Sequence, residues 1–566
     1  MAQSFPQCVD TVIIGNGPSA LILSYILHGH IPYYIGGHQD ALLNSKLSKN
    51  PDLLRLTPDL YAHFLSSLRY STQALPINTL LDTLIRPNAD TEINPKSCIE
   101  WRYEPEKAIS HVVIGETGAG GQWAEKSVSP SDDIGTLSYA ELLSLPGYSY
   151  SEHLEQIGHQ GQCDFVRPTR AEAAEYFKVY PQAVGISDAI YTSVTVDNVS
   201  RTSDGFLIGS HGISCNHLVL ASGIFAKNIP PPPLLTPLAS LDCASDPLLV
   251  IGSGFSAADI IISTPPGRKI IHLFRWAPDI RPSPLHGCHH TAYPEYATIY
   301  RQMKIAVNAS NKKSLARTPL MPRKSNPFFS SRDWASTYEG LPNAEIESVS
   351  LSPDSGSATV IIRLESGTTI TRTIGGLKYV VGRRGSLSYL SPELLIEILG
   401  HSATTTDFSS PALISGRTLR SKAESSLEVA KNVFIIGSLA GDSLVRHAVG
   451  GCVYAAGRIM GSIPSTFSSV SSPAHDHTQD QPCSLTSSRC STPVSAPPSN
   501  GYFTRQISPV QSGKQSPAIP ANGHEDLHLD RRKLFRAIEV AEQENRVWGE
   551  SGWWAGGFMG ARGEDR

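Results

Sequence analysis

The sequence is poor in charge and contains no long apolar run. Asp, Glu, Lys and Arg make up 17% of its 566 residues, against about 25% in an average soluble protein. Lys and Arg total 47 and Asp and Glu total 51, and the resulting net charge of -4 argues against a whole-chain role in binding nucleic acid or an acidic membrane. Because no stretch of about 18 uninterrupted apolar residues occurs, we predict no membrane-spanning helix.

Cysteine is also scarce, and its pattern is not that of a bonded or metal-binding framework. The nine cysteines are scattered, and none forms a C-x-x-C pair, which argues against disulfides and against a zinc module. Residues 1–10 lack the basic start and the small-residue cleavage site of a signal peptide. A cytoplasmic location is therefore the default expectation.

The chain up to Met460 alternates between short apolar strands and helical patterns. Strand, glycine-rich turn and helix in this order are typical of parallel sheets with crossover helices, so the sequence predicts an α/β fold. The predicted strands are 11–14, 111–114, 218–221, 248–251, 378–381 and 433–436, and the clearest helical patterns are 20–27, 171–179 and 257–262.

The last hundred or so residues have a different composition. Residues 462–525 are rich in Ser, Pro, Thr and Gln with few aliphatic side chains, which predicts a disordered linker. Residues 526–566 carry a charged helical pattern over 526–547, followed by an aromatic run with Trp548, Trp553 and Trp554. Two interpretations stay open for this tail: a short helix that docks on the parent domain, and a motif that binds a protein partner.

A glycine fingerprint, G-x-G-x-x-A, follows the first apolar strand and opens a helix. Gly15 allows a tight turn, and Gly17 allows the backbone to approach a pyrophosphate whose charge lies at the helix N-terminus. Ala20 permits close packing of helix on strand, and Pro18 and Ser19 complete the turn. A position this close to the start of the chain is typical of FAD-binding folds, so we predict that these five residues bind FAD.

One part of this fingerprint is missing. An acidic residue about 20 positions on usually closes the second strand and binds the adenosine ribose. We predict that strand over 31–35, but Gly36, Gly37 and His38 follow it, and Asp40 is displaced. The ribose contact therefore stays unassigned.

A second fingerprint contains Gly252, Gly254, Ser256 and Ala257, again between a strand and a helix. The strand that follows ends at Arg275 instead of at an acid. A cation at this point suits the 2′-phosphate of NADPH, so we predict NADPH in preference to NADH. An ordinary surface arginine is the alternative interpretation of Arg275.

Further motifs resemble the oxidative stress-induced growth inhibitor family, which in turn is similar to the class B flavin-containing monooxygenases that use FAD and NADPH. They occur in order between residues 10 and 460: L-S-Y at 23–25, G-G-Q-W at 120–123, T-L-S at 136–138, L-P-G at 145–147, Y-P-E-Y at 293–296, G-S-L-S-Y-L at 385–390 and G-D-S-L-V-R at 441–446. The linker and the tail fall outside this resemblance.

The resemblance implies further cofactor-binding residues. Gly121, Gln122 and Trp123 match the G-G-x-W element that lines the flavin, although a glycine turn beside a buried tryptophan would look the same. Asp442 matches the carboxylate that binds the ribityl chain of FAD, and a helix N-cap is its alternative. Arg384, with its neighbour in a double arginine, would contact NADPH unless the pair is simply solvated.

The resemblance also implies a fold of two Rossmann-like domains. Residues 1–235 with 380–461 would form a discontinuous FAD-binding domain, and residues 236–379 an inserted NADPH-binding domain. The segments 221–223 and 381–384 resemble the hinges between such domains. Histidines at 286, 289 and 290 follow the second strand of the NADPH domain, but their spacing is poor for a metal. A structural loop or a substrate-cleft lining is the better interpretation, and no metal is predicted.

The implied activity is that of an FAD-dependent, NADPH-reduced monooxygenase. NADPH would reduce FAD, oxygen would add to the flavin, and the hydroperoxide would oxygenate a small organic substrate, so no catalytic side chain is required. Two monooxygenase motifs are missing, however. F-x-G-x-x-x-H is replaced by the stretch 240–243, and A-T-G-Y is absent. The alternative is a non-catalytic or weakly catalytic flavoprotein that regulates growth or the oxidative-stress response. A flavin disulfide reductase would need a C-x-x-C pair.

Overall fold

The computed structural model describes residues 4–56, 74–87, 96–124, 131–159, 166–310, 327–352, 356–400 and 413–462. Apart from its first residue, the predicted disordered linker lies outside the described residues, as do the predicted C-terminal helix and the aromatic tail. None of the described helices is long and apolar enough to cross a bilayer.

The strands of the described residues are numbered in chain order. They are β1 Cys8–Ile14, β2 His30–Tyr34, β3 Ile99–Tyr103, β4 His111–Gly115, β5 Ile190–Thr192, β6 Val199–Arg201, β7 Phe206–Ile208, β8 Ile213–Leu220, β9 Lys227–Asn228, β10 Leu248–Ile251, β11 Ile270–Phe274, β12 Tyr338–Pro342, β13 Glu345–Leu351, β14 Ala358–Arg363, β15 Thr369–Ile374, β16 Gly376–Tyr379, β17 Arg383–Ser386, β18 Leu413–Ile414, β19 Glu428–Ala430 and β20 Val433–Ile435.

The α-helices of the described residues are numbered in the same way. They are α1 Pro18–Leu27, α2 Ala41–Lys49, α3 Pro76–Ile85, α4 Ala140–Leu143, α5 Tyr150–Gln156, α6 Arg170–Ala183, α7 Phe255–Ser263, α8 Pro294–Ser310, α9 Pro327–Ser330, α10 Trp334–Thr337, α11 Pro392–Leu399, α12 Arg420–Ser425 and α13 Val449–Ser462. The six predicted strands and the three clearest predicted helices are all present, with ends that differ by a few residues.

The larger sheet has eight strands, and its central part is parallel. Its order is β19-β20-β8-β1-β4-β5, with β7 and β6 added along β8 by antiparallel pairing. β1 pairs in parallel with both β4 and β8, so that Val12 lies beside Val112 on one side and Leu218 on the other. All three residues are buried, as expected for a central strand covered on both faces. The predicted α/β class is confirmed.

A second, four-stranded sheet carries the second glycine fingerprint. Its order is β12-β11-β10-β16, and every pairing in it is parallel. Helix α7 connects β10 to β11 as the crossover helix. The chain thus contains two Rossmann-like units, each built from a parallel sheet with a glycine turn after one central strand. Three small antiparallel groups, β13-β14-β15, β9-β17-β18 and β2-β3, complete the described strands.

The strand predicted over 31–35 is present, but it lies outside the larger sheet. This strand, β2, pairs only with β3 in an antiparallel two-stranded ribbon and does not join β1. Pro32 gives a physical reason, since proline cannot donate to a second ladder and is therefore confined to strands with a free edge. The parallel neighbour of β1 on this side is β4, which lies much later in the chain.

Candidate nucleotide-binding cavity

A cavity of about 430 Å³ opens at the carboxyl ends of β1, β4, β8 and β20. Ligands of open α/β sheets bind at this edge, because loops diverge there and helix N-termini point into the space. Of the residues predicted to bind FAD, only Ala20 is absent from its wall; it is fully buried beneath the first glycine turn. The other predicted residues lining the cavity are Gly15, Gly17, Pro18, Ser19, Gly121, Gln122, Trp123 and Asp442.

The first glycine turn needs its two glycines for different reasons. Gly15 has φ +111°, and a Cβ there would lie 2.4 Å from the carbonyl oxygen of Ala221 at the end of β8. A Cβ at Gly17 would meet nothing within 4 Å, so this backbone faces open cavity space. Gly17 is the N-cap of α1, and no side chain caps the helix or places an acid in its first turn. The uncapped helix end is therefore suited to an anion such as a pyrophosphate.

Asn16, between these glycines, joins the first turn to the turn after β4. Its Nδ2 donates to the carbonyl oxygen of Thr117 at 2.5 Å, and its Oδ1 accepts a hydrogen bond from the Thr117 hydroxyl at 3.2 Å. The side chain is buried. The glycine fingerprint does not specify this residue, and only the tertiary pairing of β1 with β4 brings Thr117 close to it.

Glu116 is an acidic residue at the end of a strand that neighbours β1. It comes directly after β4, the parallel neighbour of β1, and its exposed side chain lies on the cavity wall. Sequence reasoning missed it by looking about 20 residues after the glycines, the usual spacing. A signal was present, since an acid follows the apolar run 111–114 just before the G-G-Q-W motif.

The G-G-Q-W motif forms a short 3-10 turn, Gly121–Trp123, that packs directly on the first glycine turn. A Cβ at Gly121 would lie 2.9 Å from the Cα of Gly17, so the two backbones are in contact. Trp123 packs on Phe177 of α6, with ring centroids 5.6 Å apart. The buried Arg170 donates from Nη1 to the Trp123 carbonyl oxygen at 2.7 Å and so holds the turn in place.

The carboxylate of Asp442 is used within the protein. Its side chain is fully buried, and it accepts hydrogen bonds from the Leu75 N–H at 2.8 Å, Asn78 Nδ2 at 2.6 Å and Arg420 Nη1 at 2.8 Å. These contacts tie the start of α3 and the start of α12 to the cavity floor. Asp442 thus positions the wall, and its contact with a ribityl hydroxyl stays a prediction.

The second glycine turn has the same construction as the first. Gly252 has φ +153°, and a Cβ there would lie 2.4 Å from the Val380 carbonyl oxygen. Helix α7 begins beside Gly254, again without a side-chain cap. The Ser253 hydroxyl accepts a hydrogen bond from the Arg275 N–H at 2.9 Å, so the end of β11 is bonded to this turn and the Arg275 side chain is exposed beside it.

The other residues predicted for NADPH lie in two places. Ser256 is half-buried in the first turn of α7, and Ala257 is buried there, 3.3 Å from where a Cβ of Gly252 would be. Arg384 lies on β17, paired with Lys227 of β9 in the predicted hinge region. Its Nη1 donates to the carbonyl oxygen of Arg383. Contacts of these residues with NADPH stay predictions.

The histidines that follow β11 do not form a metal centre in the described part of the chain. Among the described residues no group of three or more His, Cys, Asp and Glu side chains could hold a metal ion. His286 packs edge-on against Tyr300 of α8, with ring centroids 5.6 Å apart. His289 Nδ1 bonds to the Thr291 hydroxyl at 2.9 Å within its own loop.

Comparison of the sequence with family models finds no match. Among curated proteins, oxidative stress-induced growth inhibitor 1 of Mus musculus is 29% identical over 349 residues, which are 54% of this chain and 71% of that protein. Oxidative stress-induced growth inhibitor 2 of Homo sapiens is 32% identical over 221 residues, 38% of this chain and 42% of that protein.

Solved structures with a similar arrangement include a flavin-containing monooxygenase from Stenotrophomonas maltophilia, with 13% identity and a TM-score of 0.41. An ornithine hydroxylase from Pseudomonas aeruginosa has 13% identity and a TM-score of 0.40. Each of these two matches covers 80% of this chain and 98% of the solved structure's chain. The sequence comparison confirms the resemblance predicted from the motifs, and the chain is a homologue of the oxidative stress-induced growth inhibitors.

Proposed function

We propose that the chain is an FAD-dependent monooxygenase that is reduced by NADPH and oxygenates a small organic substrate with molecular oxygen. The observation that carries the proposal is the cavity wall: an uncapped helix end at Gly17, an acid at Glu116 and the G-G-Q-W turn meet around one space. Together they offer what a dinucleotide with a flavin end requires, namely an anion site, a ribose acceptor and a wall for the ring.

The residues present fit FAD in outline. The N-terminus of α1 would hold the pyrophosphate, Glu116 would accept hydrogen bonds from the adenosine ribose, and the turn with Gln122 and Trp123 would line the flavin. When bound, FAD supplies the redox chemistry, while the protein binds, orients and excludes water. Asp442 would keep the floor of the cavity in place through its three protein contacts.

NADPH would bind at the second glycine turn, with Arg275 facing its 2′-phosphate. Support for a short path between the two sites comes from one apolar cluster. Phe255, the residue after Gly254, packs in it with Leu444, which lines the cavity, and with Tyr139 and Leu142 of the first unit. We accordingly propose the domain division given above, 1–235 with 380–461 for FAD and 236–379 for NADPH. These apolar side chains would keep water from the junction.

The visible spectrum of the purified protein tests this function. Incubation with FAD is expected to give a stable flavin spectrum, which NADPH bleaches and air restores while NADPH is consumed. A protein that stays colourless after incubation with FAD would contradict the proposal. A bound flavin that NADPH cannot reduce would contradict the enzyme but not the flavoprotein.

Glu116→Ala is expected to weaken FAD binding by about tenfold or more, since hydrogen bonds to a charged group contribute about 1.5–3 kcal/mol. The matched control is Glu106→Ala, which removes another exposed carboxylate, on the short helix before β4 and away from the cavity wall. The measurement is the dissociation constant from quenching of flavin fluorescence. Equal affinities in the two variants would assign the ribose contact to another residue.

A flavoprotein regulator of growth or oxidative stress is the second candidate. The names of the homologues favour it, as do the two missing monooxygenase motifs. Gly254→Asp places a negative charge at the second anion site and is expected to abolish reduction by NADPH. Gly267→Asp is the control, because Gly267 lies on an exposed turn where a Cβ would meet nothing within 4 Å. A cellular effect that survives Gly254→Asp would favour the regulator.

A further inference from the structure

One arginine connects the two Rossmann-like units. Arg167 precedes α6, and its guanidinium donates from Nε to the Thr136 carbonyl oxygen at 2.6 Å and from Nη2 to the Gly135 carbonyl oxygen at 3.1 Å. From Nη1 it donates to the Ala292 carbonyl oxygen at 2.6 Å, just before α8. Its side chain is 13% exposed. All three guanidinium nitrogens are thus used, on carbonyl groups of both units.

Aromatic side chains surround this guanidinium. It lies over the ring of Tyr293, 4.4 Å from the centroid, and the Tyr293 hydroxyl donates to the Leu137 carbonyl oxygen at 2.7 Å. Tyr296 follows on α8 and packs edge-on against Phe255 at the start of α7, with centroids 5.2 Å apart. Arg167 is therefore connected through Tyr293 and Tyr296 to α7, the helix that follows the second glycine turn.

Two carboxylates belong to this group of side chains, one near the guanidinium and one bonded to Tyr296. Glu295 on α8 has Oε2 at 3.8 Å from Nη1. The half-buried Asp259 on α7 accepts a hydrogen bond from the Tyr296 hydroxyl at 2.8 Å. Burial raises the pKa of Asp259 to about 7, while the Tyr296 hydrogen bond and the charge of Arg167 act in the opposite direction.

We infer that Arg167 is a positioning residue that holds the second glycine turn against the flavin cavity, so that NADPH bound at one faces FAD bound in the other. The inference rests on the proposed function. The step it serves is the transfer of a hydride from NADPH to FAD, which oxidises the nicotinamide and reduces the flavin. Arg167 touches neither ligand site directly and acts through Ala292, Tyr293 and Tyr296.

The first test is single-turnover reduction of the flavin in the full-length protein. Arg167→Gln is expected to slow reduction by NADPH by about 10- to 100-fold, since a misplacement of about 1 Å costs about that much. Reduction by dithionite and the affinity for FAD should not change. Arg167→Lys keeps the charge and should recover part of the rate. Tyr293→Phe, which removes a single hydrogen bond, should slow the step less and serves if Arg167→Gln does not fold.

Arg201→Gln is the matched control. Arg201 pairs with the carboxylate of Glu397, donates to the carbonyl oxygen of Lys431 and lies over the ring of Phe206. It takes no part in the joint, by which we mean the contacts of Arg167 with Ala292, Tyr293 and Tyr296. In the Arg201→Gln protein, NADPH should reduce the flavin at the wild-type rate. An Arg167→Gln protein that reduces as fast as the Arg201→Gln protein would overturn the inference.

A pH profile separates positioning from simple packing. Burial raises the pKa of Asp259 from its ordinary value of 3.8 to about 7, so by linkage the closed joint loses stability as pH rises between these two values and changes no further above about 7. Hydrogen exchange at the start of α8, corrected for intrinsic rates, should therefore rise between about pH 4 and pH 7 in the wild type and level off above pH 7, and Asp259→Asn should show no such rise. Arg167→Gln should move the upper end of this rise to higher pH, because the positive charge of Arg167 lowers the pKa of Asp259, and Arg167→Lys should not, because it keeps the charge.

The exchange experiment needs no nucleotide, so it distinguishes the two proposals. If NADPH does not reduce the flavin of the wild-type protein, the proposed enzymatic function is wrong, and hydrogen exchange alone then tests the joint. Faster exchange at residues 292–310 in Arg167→Gln than in Arg201→Gln supports the joint. Equal exchange in both, with no pH step in the wild type, overturns it.

Discussion

Gly17→Asp is expected to abolish FAD binding and leave the fold intact. The backbone at Gly17 has φ -73° and ψ 176°, which any residue adopts, and a Cβ there would meet nothing within 4 Å. Aspartate is a good N-cap, so the free energy of unfolding should change by less than about 0.5 kcal/mol. The affinity for FAD should fall by about 100-fold or more, because like charges placed together cost several kcal/mol. Urea unfolding and flavin fluorescence measure the two effects.

Two further variants delimit this expectation. Gly17→Ser supplies a neutral N-cap with the same backbone and should bind FAD more tightly than Gly17→Asp. Gly15→Ala should instead lose stability by about 1–3 kcal/mol, since its φ is +111° and its Cβ would lie 2.4 Å from the Ala221 carbonyl oxygen. If Gly17→Asp binds FAD like the wild type, the pyrophosphate does not lie at the start of α1.

Asp442→Ala is expected to reduce the free energy of unfolding by about 3–5 kcal/mol, the usual effect of removing one partner from a buried ion pair. The change leaves Arg420 without its buried carboxylate and takes the acceptor from the Leu75 N–H and the Asn78 amide. Asp442→Asn keeps one carbonyl acceptor and should lose less. Urea unfolding of the protein without cofactor measures the effect.

Glu424, which pairs with the same arginine as Asp442, provides the control for this prediction. Glu424 accepts a hydrogen bond from Arg420 Nε at 3.0 Å, but its side chain is 59% exposed. Glu424→Gln should therefore change stability by less than about 1 kcal/mol. Equal losses for Asp442→Ala and Glu424→Gln would contradict the buried role. If Asp442→Asn keeps full stability but no longer binds FAD, the Asp442 carboxylate contacts the cofactor directly.

Much of the candidate site could be predicted from short patterns. The two glycine turns, the helices that follow them and the G-G-Q-W turn depend on neighbouring residues, since glycine conformation and helix starts are local properties. Gly15 and Gly252 both adopt the positive φ that such turns require. Arg275 was predicted at the end of its strand because β10, α7 and β11 follow one another without interruption.

The acid of the first turn could not be assigned by spacing. Glu116 lines the same cavity as Gly17 only because β4 pairs with β1, and the ribbon of β2 and β3 is inserted between α1 and β4. A strand's partner is a long-range property, and an apolar run of four or five residues carries little information about it. Pro32 is a local feature of β2 that disfavours a central position in a sheet.

The sequence by itself determined the class of the fold, the two glycine turns and the homology to the growth inhibitors, because these rest on local conformation and on residue order. Only the tertiary structure decided that Glu116 lines the cavity, what the Asp442 carboxylate binds and how Arg167 joins the two units. Each of these depends on contacts between residues far apart in the chain, whose side chains meet only when the sheets and helices have packed. The spacing of residues along the sequence does not show which of them come into contact in the folded chain.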